Sequence, residues 1–245
     1  MSLKPSKTTV FILAAGRGLR MMPLTGNTPK PLLKIGEFSL IEHHINRLVN
    51  KGFNDFVINV DYLGDNIKRE IGDGSRWGIR ITYSDEQAYG ALETAGGIQH
   101  ALPLIKSDYF LAVNADIWTD FDFNKLLVGV SQVPQVSDFS AAIVLVENPK
   151  HNPDGDFCID NNKQNLLDAV QHKNTINPTL ASYTFSGIGL YSKAAFTTVA
   201  PGKSALAPLL RQWLDNNALF GMVFNGQWSD IGTPERLAEI NYQLD

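Results

Sequence analysis

Five short apolar runs rich in β-branched residues set the outline of this chain: "TVFILAA" (9–15), "DFVINV" (55–60), "IRITYS" (79–84), "YFLAVNA" (109–115) and "SAAIVLVE" (140–147). Helical patterns lie between several of them. Near-continuous apolar runs of this length suit strands buried on both faces. In the first helical segment Ile41, Ile45 and Leu48 fall at i, i+4 and i+7, one stripe fit to cover a sheet. The alternation predicts an α/β fold with a mostly parallel central sheet and helices on both faces. In such sheets ligands gather at the carboxyl ends of the strands.

At 245 residues the chain can bury a sizeable core. No linker divides it: the longest polar stretch, "ENPKHNPDGDFCIDNNKQN", is flanked by strand-like segments and reads as an excursion within one domain spanning residues 1–245. No internal repeat is visible, and in particular no hexapeptide array. Lys and Arg total 21 against 25 for Asp and Glu, a net charge of −4 that argues against nucleic-acid or anionic-membrane surfaces but leaves room for a small polyanion in a local pocket. Cys158 stands alone, so no internal disulfide forms, and a reducing compartment is expected. The apolar part of "MSLKPSKTTVFILAAG" runs directly into Gly16-Arg17 and reads as a first core strand rather than a signal peptide. No segment approaches the roughly 20 apolar residues of a membrane span. A soluble, cytoplasmic protein is expected.

The first strand leads into "GRGLRMMPLTGNTPKPL" (16–32). Glycines there permit tight turns that aim backbone N–H groups at one spot, and Arg17, Arg20 and Lys30 add cations, a combination suited to phosphate. It is neither a Walker loop, since Lys30 lies between Pro29 and Pro31, nor a Rossmann fingerprint, since Met21 stands at the third glycine position. Asp116 in "NAD" follows the fourth strand, and Asp230 in "GQWSDIGTPERL" precedes a final helix with Thr233 at the N-cap and Pro234 at N1. Each aspartate alone suits a turn or a cap. Together, beside a basic glycine-rich loop, they make a phosphate–metal site, because a divalent cation bound to phosphates takes one or two carboxylates from the protein. The five histidines lack ligand spacing and are assigned structural or surface roles. "LETAGGIQHALP" (92–103) is a second glycine-rich element, in which Thr94 offers a hydroxyl and Ala95, Gly96 and Gly97 permit close packing.

The set "LAAGRGLR…PLT…TPKPL", "VNAD", "LETAGG", "YTFSGIGLYS" and "WSDIGTPERL", in this order and across nearly the whole chain, resembles the sugar-1-phosphate nucleotidyltransferases. "INVDYLGDNIKREIGDGSRWGIRITYS", "NADIWTDFDF" and "NPKHNPDGDF" look most like the branch of short bacterial enzymes that uridylylate N-acetylmuramate α-1-phosphate in cell-wall recycling. The resemblance implies a Rossmann-like three-layer, GT-A-like nucleotidyltransferase fold, UTP and a sugar 1-phosphate as substrates, and Mg²⁺ as cofactor. It implies that Leu13, Ala14, Ala15, Gly16, Arg17 and Thr94 meet the nucleotide. Arg20, Lys30 and Asp116 would be catalytic, Asp116 and Asp230 would hold the metal, and Glu147, Ser186 and Gly187 would bind the sugar.

The chain departs from the commoner pattern at four places. Leu19 and Met22 stand where a Thr and a second Arg are usual, Ala115 replaces the Gly before the metal aspartate, and Asn148 replaces the lysine that would meet the sugar phosphate. Rival readings are a nucleotidyltransferase for glucose, mannose or N-acetylglucosamine 1-phosphate, a phosphocholine cytidylyltransferase, and a catalytically silent nucleotide-sugar sensor. The retained Lys30, Asp116 and Asp230 weigh against the last.

Overall fold

The computed structural model describes residues 3–132, 139–159, 167–172 and 180–244. Its strands are β1 (Thr9–Leu13), β2 (Lys34–Ile35), β3 (Phe38–Ser39), β4 (Asp55–Val60), β5 (Arg80–Asp85), β6 (Tyr109–Asn114), β7 (Ile117–Thr119), β8 (Ala141–Val146), β9 (Phe157–Ile159), β10 (Asp168–Ala169), β11 (Gln171–His172), β12 (Ala181–Ser192), β13 (Leu219–Phe224) and β14 (Trp228–Asp230). The helices are α1 (Leu40–Asn50), α2 (Gly64–Ile71), α3 (Glu93–Ala101), α4 (Asn124–Ser131), α5 (Leu206–Asp215) and α6 (Pro234–Leu244).

All five apolar runs become strands of one sheet, ordered β10-β13-β8-β12-β6-β1-β4-β5. The block β6-β1-β4-β5 is parallel, as is the β8–β13 pair. β12 lies antiparallel between β6 and β8, so the sheet is mixed at that point. The polar excursion returns through β9, which pairs with β12 and β11. Its part beyond Ile159, residues 160–165, lies outside the described residues.

Burial on both faces explains the apolar runs. Val10 and Ile12 of β1 join one core cluster with Ile41, Ile45 and Leu48 of α1, while Phe11 joins the opposite cluster with Ala95 and Ile98 of α3 and Leu210 of α5. Successive side chains thus serve different layers, and β1, β4 and β6 have no fully exposed position. α1 begins at a capping box in which Ser39 and Glu42 bond each other's backbone reciprocally. Thr233 caps α6, its Oγ1 accepting from the Arg236 N–H at 3.4 Å. Among the described residues no helix is long and apolar enough to cross a membrane.

Candidate active site

A cavity of about 310 Å³ opens at the carboxyl ends of β1 and β6. Its walls include Leu13, Ala14, Ala15 and Gly16 from the first loop, Lys30, Thr94 of α3 and Asp116. The floor is a buried polar relay: the Ala14 N–H donates to Asn59 Oδ1 at 2.7 Å, and Asn59 Nδ2 donates to Glu86 Oε1 at 2.7 Å. Asn59 and Glu86 are both nearly inaccessible, at 3% and 1% exposure. Burial pushes the Glu86 carboxyl above the usual carboxylate range despite the hydrogen bond from Asn59. A Cβ on Gly97 would meet Glu86 Oε1 at 2.6 Å and Asn59 Nδ2 at 3.0 Å, so this glycine of "LETAGG" serves the close packing of the relay.

The basic loop is folded over Lys30. Gly18 sits in the left-handed region at φ +62, its carbonyl accepts from Thr25 Oγ1 at 2.9 Å, and a Cβ there would meet Lys30 Cβ at 3.1 Å. The Lys30 stem is buried beneath this turn, and its ammonium lies 2.5 Å from Asp116 Oδ2. Packing of this kind removes most of the lysine's rotamer freedom and presents one oriented cation to the cavity. Arg17 and Arg20 are exposed on the same loop and do not line the cavity.

The two aspartates come together on a small ribbon separate from the main sheet. β7 and β14 pair antiparallel with Asp230 opposite Ile117, and the Ile231 N–H donates to the Asp116 carbonyl at 2.8 Å. Each carboxylate is balanced by a cation: Asp116 by Lys30, and Asp230 by an ion pair with Arg236 Nη1 on the first turn of α6. His151 Nε2 is 3.2 Å from the same Asp230 oxygen. His151 is exposed, as expected of it, and from the surface it reaches one of the two aspartates. Among the described residues no group of three or more His, Cys, Asp and Glu side chains gathers to hold a metal. Asp116 lines the cavity and Asp230 lines neither this cavity nor the next; carboxylate oxygens are the donor type a hard cation takes when it bridges phosphates.

A second, larger cavity of about 710 Å³ adjoins the first and shares Glu93, Thr94 and Asn114 with it. Ser186 and Gly187 line neither cavity; they follow the lining residue Phe185 on a bulge of β12, where the register with β8 shifts between Phe185 and Gly189. Gly187 has φ +83, and a Cβ there would meet Asn114 Nδ2 at 2.7 Å. Glu147 is exposed just beyond β8 and lines neither cavity. Asn148 is held against β12, donating to Ser182 Oγ at 2.9 Å and accepting from Thr184 Oγ1 at 3.0 Å. Asn59, Glu86, Asn114, His151 and Arg236 are site residues that sequence reasoning passed over. Asn59 carried one signal, a carboxamide inside an otherwise apolar run.

Similarity to known proteins agrees with this geometry. Over 233 residues the chain is 46% identical to the N-acetylmuramate alpha-1-phosphate uridylyltransferase of Neisseria meningitidis serogroup B, covering 94% of this chain and 95% of that protein. It is 29% identical to the enzyme of the same description in Caulobacter vibrioides, covering 92% of both. Among solved structures, HddC of Yersinia pseudotuberculosis complexed with GMP-PN superposes with a TM-score of 0.74 at 20% identity, covering 97% of this chain and 100% of that one, which shows the shared fold. The family model for nucleotidyl transferases matches residues 9–245, from the first strand through both aspartates to the last helix, and the chain belongs to that family.

Proposed function

We propose that the protein transfers a uridylyl group from UTP to N-acetyl-α-muramate 1-phosphate, giving the uridine diphosphate sugar and pyrophosphate, as a cytoplasmic enzyme of peptidoglycan recycling. The observation that carries the reaction class is the buried Lys30 ammonium held 2.5 Å from Asp116 beside a cavity at the strand ends. The choice of sugar and base is supported by the names of the meningococcal and Caulobacter relatives.

In this reading the base and ribose lie against the backbone of Leu13 to Gly16 and against Thr94, and the triphosphate runs over the basic loop. The acceptor sugar occupies the adjoining cavity. An oxygen of its phosphate, already ionised near pH 7, attacks the α-phosphorus, so no protein base is needed. The new P–O bond forms opposite the bond to the bridging oxygen, which breaks and leaves with its electron pair on pyrophosphate. Lys30 and Arg20 meet the charge that grows on the phosphate oxygens, and the rigid seat of Lys30 means little reorganisation at that moment. Asp116 and Asp230 would hold Mg²⁺, whose charge, when bound, neutralises phosphate oxygens. Arg236 and His151 keep Asp230 oriented.

The test is pyrophosphate release, with product mass read in parallel, for a panel of UTP, CTP, GTP and dTTP against N-acetylmuramate, N-acetylglucosamine, glucose and mannose 1-phosphates and phosphocholine. The expected result is a kcat/KM for the muramate substrate with UTP at least about tenfold above that for N-acetylglucosamine 1-phosphate, the scale of one modest polar contact. Equal or reversed preference removes the muramate assignment. Release from no pair at all would favour a silent sensor, and turnover undiminished by exhaustive chelation removes the metal.

A further inference from the structure

The acceptor cavity is lined on one side by Phe157, Phe185 and Leu206, and by Arg211 on α5. Of its charged groups all but one already have partners. Asp156 accepts from the Phe185 N–H at 2.8 Å and from Asn152 Nδ2 at 3.2 Å. Glu93 is 3.2 Å from Lys203, and His172 Nε2 is 2.7 Å from Asp215 Oδ1. Asp215 stands four residues after Arg211 on the same helix, the spacing at which an ion pair would form, yet it engages His172 instead. Arg211 makes no hydrogen bond or ion pair with the described residues. Ala207, one turn earlier and with a methyl side chain, also lines the cavity and leaves the path to the guanidinium open.

Asp156 is held by uncharged donors on its own side, and Arg211 is the one arginine or lysine that lines the cavity, a guanidinium whose N–H groups are open to an anion. Within the reading of the substrate given above, one such anion remains unassigned. The sugar's phosphate is directed toward the shared wall with the nucleotide cavity, whereas the lactyl ether carries a carboxylate on another face of the ring. We propose that Arg211 receives this lactyl carboxylate and is the residue that separates N-acetylmuramate 1-phosphate from hexose phosphates lacking the acid. A guanidinium fork matches a carboxylate with two parallel N–H···O bonds, which a lysine cannot reproduce.

The experiment measures steady-state kcat/KM of the full chain with saturating UTP for N-acetylmuramate 1-phosphate and N-acetylglucosamine 1-phosphate, in the wild type, Arg211→Gln and Arg211→Lys. The expected result is a muramate-to-glucosamine ratio that falls by about 10- to 100-fold in Arg211→Gln, through KM more than kcat, and by less in Arg211→Lys. A wild-type preference that persists in Arg211→Gln overturns the role of Arg211 alone. Equal loss on both substrates overturns it too, since a merely structural residue would act that way. A wild type with no preference for the muramate substrate overturns the substrate reading, and the role of Arg211 falls with it.

Discussion

Asn59 offers the most direct check of how the nucleotide cavity is held. Its carboxamide is the only described link between the Ala14 N–H, where the basic loop begins, and the Glu86 carboxyl across the cavity floor, with both bonds at 2.7 Å. Asn59→Ala removes both bonds, leaving the Ala14 N–H without a partner and the Glu86 carboxyl with only its bond from the Leu92 backbone. The orphaned donor costs about 1–3 kcal/mol and the lost bond to Glu86 about 1 kcal/mol more, so the variant is expected to lose about 2–4 kcal/mol of stability. At roughly 2–4 °C per kcal/mol for a chain of this size, the melting point falls by about 4–16 °C. Asn59→Asp is more selective. It can still accept from Ala14, but it replaces the donor facing Glu86 with a second carboxylate, and two such groups in contact share one proton. Glu86 already has a raised pKa from burial, and the substitution raises it further. A carboxyl whose folded pKa lies above its unfolded value stabilises fully below the unfolded value, near pH 4, and loses that contribution as pH rises through the folded one. Asn59→Asp should therefore approach wild-type stability in acid and fall away toward pH 8. Urea denaturation at pH 5 and 8, read as the midpoint at unchanged m, provides the comparison. An Asn59→Ala variant within about 0.5 kcal/mol of wild type, or an Asn59→Asp variant with the wild-type pH profile, would refute the reasoning.

Lys30→Ala is expected to lower kcat by about 10³-fold, the scale of losing a cationic clamp in phosphoryl transfer, and Lys30→Arg to restore little because a planar fork does not fit the seat of a compact ammonium. Single-turnover kinetics check it, and a kcat within about threefold of wild type removes Lys30 from the mechanism. His44 is fully buried, with Nε2 2.8 Å from the Ile117 carbonyl and Nδ1 without a partner among the described residues. Burial pushes its pKa down to about 4, so it stabilises the fold above the ordinary value near 6.5 and loses that contribution, about 3 kcal/mol, as pH falls toward 4. His44→Gln keeps a donor for Ile117 and should flatten this acid limb in denaturation profiles; an unchanged slope would count against the assignment.

The parallel block was legible because β1, β4 and β6 are buried on both faces and so read as unbroken apolar runs. β12 was not read as a strand, although its sequence was singled out as a motif. Ser186, Gly187 and Gly189 interrupt its periodicity, and they do so because the strand bulges there to approach Asn114. Lys30 and Asp116 were each found by local chemistry, but their contact bridges 86 positions and has no local signature. Asn59 and Glu86 are single polar residues whose partners lie in other segments, so only the folded sheet assembles the relay. Arg236 and His151 sit inside quoted motifs, yet what selects them is the position of the β7–β14 ribbon.

That ribbon also sets how the site can come apart. Two strands alone are marginally stable in water, so β7 and β14 persist through the side chains around them. Trp118, Ile231 and Ile240 form a core of their own with Met21 of the basic loop, Leu33 just after it and Leu40 at the start of α1, distinct from the two clusters under the main sheet. The loop that carries Lys30 and the ribbon that carries both aspartates share this small core, while Ile117 and Trp228 of the ribbon reach the main one. In native-state hydrogen exchange the amide of Ile231, donating to the Asp116 carbonyl, should exchange together with those of Met21 and Leu33 and faster than the amides of β1 and β4. Such an opening would dismantle the charged half of the active site in one event while the walls contributed by the parallel strands stay folded.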